Sequence, residues 1–339
     1  MTRRVLIVAA LICAACGDAG SNDTSGSSGT EPTSDPSDPS DPSHPSDPSD
    51  PSDPSDPSDP SDPSADSTGG DPDPAAAMCE RWNTDRTDLT EGAWTGSVAS
   101  CEPGDIDATG RDNALRVLNL YRWLADLPPI EHDAERNAKA QHCALMMTAN
   151  MQLSHGPTPD WLCYSAEGTE AAGSSNIATG PGVSAVDLYM MDPGNPDTIG
   201  HRRWILSNSI GPTGLGSTDS FSCMWTIGGT GNLGVPWVAY PPPGPFPLEA
   251  TTLGWTNLDM TGWSIQSDTI DLTNAQVTVT KDGADALPMT IHPLGGGYGS
   301  SFAISMIPMG WAIGVGEYHV VVSGVSEPIE YDVQVVSCV

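Results

Sequence analysis

From Ser34 to Ser64 the chain repeats one tripeptide, Ser-Asp-Pro, with His44 standing once in place of the aspartate. A proline at every third position excludes both helix and sheet, because each ring fixes φ and removes a backbone donor. The repeat contains no apolar side chain to bury, and its aspartates repel one another. It reads as an extended polyproline-like tether rising about 3.1 Å per residue. Residues 17–78 together form this disordered spacer, which would hold a folded part away from a membrane or envelope. It carries roughly a third of the 44 acidic residues. The formal charge of -32 therefore overstates the acidity of what folds. That part is still acidic, which argues against nucleic acid as a partner.

Ahead of the tether lies an export signal. Arg3 and Arg4 precede an apolar run from Val5 to Ile12, too short to span a bilayer, and Ala14 and Ala15 precede Cys16. The stretch Cys-Ala-Ala-Cys resembles the lipobox of bacterial lipoproteins, departing from it at Cys13, where leucine is usual. The resemblance implies cleavage after residue 15, lipidation of Cys16 and a membrane anchor, with 1–16 as the signal segment. Gly17 after the cysteine fits outer-membrane or cell-surface placement. Six further cysteines remain: Cys79, Cys101, Cys143, Cys163, Cys223 and Cys338. An even number in an exported chain reads as disulfides. Nearest-neighbour pairing gives Cys79–Cys101 and Cys143–Cys163, leaving Cys223 for Cys338.

Order is expected from about Cys79, first as an irregular polar segment. Ala114, Val117, Leu118, Tyr121 and Leu124 recur at helical spacing, with Asp112 as cap and Pro128–Pro129 as stop. A second helix begins at Asp133, with Ala134, Ala138, Gln141, Leu145 and Ala149 on one stripe. A shorter helix covers Ser184 to Met191, and another starts near Asp197. The proline-rich run Val238 to Ala250 marks a boundary between a domain at 79–240 and one at 250–339. Beyond it, alternating segments at regular spacing predict a β-sandwich of immunoglobulin-like shape. The fold class is α+β.

Four motifs follow one another in the middle of the chain. They are LNLYRWLADLPPIEHD, LSH ending at His155, SSNIATG, and GHRRWILSNSIGPTGLGS. Their order resembles the CAP superfamily (cysteine-rich secretory, antigen 5 and pathogenesis-related 1 proteins), over about residues 110–235. The resemblance implies an α-β-α sandwich with a cleft of two histidines and two acids that can hold a divalent metal. By position, His155 and His201 match the histidines. Ser175 falls where the family has glutamate, and Asp192 falls near the second acid. A tight Zn²⁺ site needs three or four ligands, and a hydroxyl is a weak one. His155, His201, Asp192 and water would make a reduced site.

No catalytic residue is legible. Neither a Gly-x-Ser-x-Gly elbow nor a His-Glu-x-x-His motif is present. Arg202 and Arg203 are expected to pair with Asp187, Asp192 or Asp197, and Arg122 to join a buried ion pair. Trp204, Ile205 and Leu206 read as a core-facing helix side, and Trp225, Trp237 and Trp255 as core. Three functions remain open. One is a surface-anchored, non-enzymatic binding module for a lipid, glycan or protein. Another is a metal-dependent hydrolase, a peptidase or cell-wall enzyme, using His155 and His201. The third is a structural envelope protein.

Overall fold

The computed structural model describes residues 73–339. The expected export signal, the lipidated Cys16 and the Ser-Asp-Pro repeat lie outside the described residues. Order starts before Cys79, with α1 (Pro74–Asp85). Its cap is local chemistry: the Asp73 carboxylate accepts the Ala75 N–H, and Pro74 opens the first turn. α2 (Ala108–Leu124) starts at Asp107, more than a turn ahead of the expected Asp112. α3 (Ala134–Asn150) begins as expected, with Asp133 accepting the Arg136 N–H at 2.8 Å.

α4 (Ala166–Gly173) leads directly into β1 (Ser175–Thr179), and then come α5 (Gly182–Met191) and α6 (Gly200–Ile205). β2 (Leu215–Ser217) and β3 (Phe221–Trp225) complete an antiparallel sheet in the order β1-β3-β2. Strand alternation splits the sheet's side chains between two helical layers. Ile177, Phe221, Cys223 and Trp225 pack with Ala140, Cys143, Ala144, Met147, Ala171 and Ala172 of α3 and α4. Ala178, Leu215 and Met224 join Val183, Val186, Tyr189 and Met190 of α5. The buried stripe of α3 therefore runs through Ala140, Ala144 and Met147, while Ala134 and Ala138 are exposed. Gly216 sits against the backbone of Ala140, where any Cβ would overlap it.

The rest of the chain is mostly β. In order come β4 (Val238–Tyr240), β5 (Gly244–Pro247), β6 (Thr252–Leu253), β7 (Thr256–Asn257), α7 (Leu258–Thr261), β8 (Trp263–Ser267), β9 (Gln276–Lys281) and β10 (Ala286–Leu287). β11 (Met289–Pro293), β12 (Phe302–Pro308), β13 (Gly316–Ser323) and β14 (Ile329–Val336) follow. Two larger sheets form, β10-β9-β13-β14-β5 and β11-β12-β8-β4, while β6 and β7 make a hairpin. Within them only β5 runs parallel to its neighbour, β14. Inward residues of both sheets meet, as where Trp263 packs edge-on against Tyr318 with ring centroids 5.4 Å apart. The proline-rich run expected as a boundary supplies β4 and β5. One hydrophobic core continues from α2 and α5 through to β14.

All three expected disulfide pairings are overturned. The bonds are Cys79–Cys338, Cys101–Cys163 and Cys143–Cys223. Cys143 and Cys223 face each other because α3 lies on β3. Cys79 reaches Cys338 because α1 packs beside the last strands of the chain. Of the tryptophans expected in the core, Trp225 is buried and Trp237 partly so, but Trp255 is 67% exposed.

Candidate functional site

His155 follows α3 in an irregular loop. Its Nδ1 lies 2.9 Å from the Ala172 carbonyl at the end of α4. A carbonyl only accepts, so Nδ1 carries the proton and Nε2 is left with its lone pair. Burial holds this imidazole below its ordinary pKa of 6.5, and nearby His201 adds to the shift while the Ala172 carbonyl opposes it. His155 is therefore neutral at pH 7.

His201 is the second residue of α6. Its Nδ1 donates to Asp192 Oδ1 at 2.9 Å, and its backbone N–H donates to Asp192 Oδ2 at 2.9 Å. Asn195 also gives its amide to Asp192 Oδ1, at 2.6 Å. The fully buried Asp192 side chain thus fixes both the start of α6 and the tautomer of the ring it begins with. Asp192 itself closes α5 in the left-handed conformation, with φ of 50°. Ile199, ahead of α6, has φ of 38°, a strained setting for a β-branched residue. It is held there by its N–H bond to the Asn195 carbonyl and by burial against Leu294 and Ala303.

The junction between α4 and β1 ties the two histidines together. Ala172 holds His155 from one side. Asn176, four residues on, donates its side-chain amide to the His201 carbonyl at 3.1 Å. Ser175 lies between them, and its fully buried hydroxyl has no hydrogen-bond partner among the described residues. Tyr189 packs on the His201 ring at 5.2 Å and donates its hydroxyl to the Asn176 carbonyl. Both Nε2 atoms are without a protein partner among the described residues, and neither is sealed from solvent.

For a divalent metal this donor set offers two imidazole Nε2 atoms, each held through Nδ1, and no third side-chain ligand among the described residues. Asp192, expected as a ligand, spends both oxygens on His201 and Asn195. Ser175 offers only a neutral hydroxyl. Among the described residues no three His, Cys, Asp or Glu side chains converge to hold an ion.

The arginines beside His201 also depart from expectation. Arg202 donates to the carbonyls of Met190, Met191 and Gly262 and to the hydroxyls of Thr261 and Ser264. Arg203 donates to the carbonyls of Thr198, Gly295 and Ser300 and to the Ser300 hydroxyl. Arg122 donates to the carbonyls of Pro128, Ile205 and Ser207. Burial lowers the pKa of Arg122 and Arg203 to about 10, so both keep their charge at pH 7. The carbonyls at the ends of α5 and α6 are the negative poles of their helices, which is why they serve a cation. Asp187 instead pairs with Arg86 at 2.6 Å and accepts the Tyr121 hydroxyl. Ile205 and Leu206 are buried as expected, but Trp204 is only half-buried.

The sequence motifs located His155, His201 and Asp192. They did not reveal Asn195, although Asp-Pro-Gly-Asn-Pro is turn chemistry that places it three residues after Asp192. No protein-family model, curated protein or solved structure matches this chain.

Proposed function

We propose that this chain is an exported, lipid-anchored member of the CAP superfamily, and that its folded part is a non-enzymatic binding module with its cleft at His155 and His201. On this reading the helices flanking β1-β3-β2 form the family's α-β-α sandwich, and the two larger sheets form an immunoglobulin-like sandwich. Three disulfides suit an oxidising, extracytoplasmic compartment. Cys16 would anchor the chain in the outer membrane or at the cell surface.

One observation carries the binding reading. Two imidazoles are locked through Nδ1 and open at Nε2, while the neighbouring carboxylate is consumed in orienting one of them. Such a pair accepts hydrogen bonds from a ligand. A metal-dependent hydrolase would need, beyond these bases, an ion to activate water, and no third side-chain ligand for one converges here among the described residues.

The test uses the full-length chain expressed in an exporting bacterium. Labelled palmitate should enter the wild type and not Cys16→Ala. The purified protein should bind saturably within a panel of sterols, phospholipids, neutral oligosaccharides and envelope proteins, and lose that binding in His155→Ala with His201→Ala. Zinc-dependent hydrolysis of casein or peptidoglycan, abolished by the same pair of substitutions, would replace this reading with the hydrolase.

A further inference from the structure

The β-rich half reaches back to the helix that carries His201. Between β11 and β12 the chain runs Leu294-Gly-Gly-Gly-Tyr-Gly-Ser-Ser301. Arg203 holds this loop at both ends, through the Gly295 carbonyl at 2.6 Å and the Ser300 carbonyl at 3.0 Å. The Gly295 N–H returns a bond to the Asp197 carbonyl. Tyr298 is laid against Gly200, where a Cβ would come within 2.6 Å of its ring. Gly299 follows close beside Trp204: a Cβ there would lie 3.0 Å from the Trp204 Cα. Trp204 is one turn on from His201, so the two side chains are neighbours on one helix face.

The result is an aromatic border on α6 beside His201, made by Trp204 and by Tyr298, whose ring lies against Gly200 and under the Arg203 guanidinium at 5.8 Å. Both are half-buried. Neither the Tyr298 hydroxyl nor the Trp204 indole N–H has a partner among the described residues, and neither is sealed from solvent. Each ring therefore pairs an apolar body with a solvent-facing polar tip, the amphipathic form that suits a contact with a ligand.

The chemistry narrows that ligand. The two open Nε2 atoms accept hydrogen bonds and so call for O–H or N–H donors. Arg202 and Arg203, the cations nearest His201, are committed to carbonyls and hydroxyls, which leaves them unavailable to a phosphate or carboxylate. The parts of the Tyr298 and Trp204 rings not taken up by Gly200 and Arg203 call for a flat apolar surface. A neutral sugar ring has both features: hydroxyls around its rim and C–H bonds on its face.

We propose that Tyr298 and Trp204 form the aromatic wall of the His155–His201 cleft and that this composite site binds a neutral glycan. The assignment rests on the binding reading above and adds a wall contributed by the β-rich half.

The full-length protein, uniformly ¹⁵N-labelled and solubilised in detergent, is titrated with N-acetylglucosamine oligomers and, separately, with a sulfated oligosaccharide of similar length. The neutral oligomer should shift the Trp204 indole and His201 ring signals. Tyr298→Ala should weaken its binding roughly tenfold or more. Tyr298→Phe keeps the ring and should retain most of the affinity, and the sulfated probe should leave those signals unmoved. Unchanged signals with the neutral oligomer, or equal affinity in Tyr298→Ala, overturn the glycan assignment and leave the histidine cleft to its own panel. Neutral-glycan binding that is lost in Tyr298→Ala but persists in His155→Ala with His201→Ala overturns the cleft itself.

Discussion

Asp192 shows what a single residue does here and how its role was hidden. Its position in the chain pointed to a metal ligand, yet its oxygens serve His201 and Asn195. Sequence proximity marks a residue as near a site. The side of the backbone it faces depends on a left-handed turn that no motif announces. The arginines teach the same lesson, since Asp187 lies near them in sequence but points to Arg86. Their energetics follow from their donors. Lysine in place of Arg202 brings at most three donors to five oxygens, four of them buried. Each abandoned acceptor costs about 1–3 kcal/mol. Arg202→Lys should therefore lower unfolding stability by about 3 kcal/mol, read from urea transitions. His155 adds a pH dependence. Its folded pKa lies below 6.5, as does that of half-buried His132, so the unfolded chain takes up these protons more readily. Their contribution to stability is complete above 6.5 and is lost as pH falls through the folded values. Urea midpoints should fall between about pH 7.5 and about pH 5, and fall less in His155→Gln.

At the scale of elements, the long helices were legible because their signals are local. Asp133 caps α3 from the next residue, and α2 carries a clear apolar period. α4, only eight residues of alanine, glycine and glutamate with one threonine, has no such period. It matters for where it ends, presenting Ala172 to His155. The start of α5 was legible only roughly, because its cap comes from far away. Glu91 accepts the N–H groups of Val183 at 2.7 Å and Ser184 at 2.9 Å. Glu91→Gln should weaken this charge-assisted cap by about 1 kcal/mol, visible as a lower thermal midpoint. The fit of α3 to the sheet is harsher. Gly216→Ala would drive a methyl into the backbone of Ala140, so α3 must lift. A loss of about 3 kcal/mol is expected, with the amides of β2 exchanging faster with solvent.

For the whole molecule, the sequence indicated helices first and strands after, and the structure is α+β. It did not reveal that both halves share a core and meet on α6. The disulfides were misassigned for the same reason: pairing follows the final topology, and nearest neighbours along the chain are poor guides to it. Cys79 and Cys338 are 259 residues apart, so their bond restrains a very large loop in the unfolded chain. The chain-entropy account gives it about 5 kcal/mol. Cys79→Ser with Cys338→Ser should lower the guanidinium midpoint accordingly. The bond also sets the path of mechanical load. A molecule pulled between residues 73 and 339 is pulled across a closed ring, and the force passes from α1 through sulfur to Cys338, beyond the last strand. Stretching single molecules between these ends should release none of the roughly 90 nm of chain held between the two cysteines. Adding a reductant should release it. Tension applied between residues 73 and 339 would thus bypass His155 and His201 and leave their surroundings undistorted.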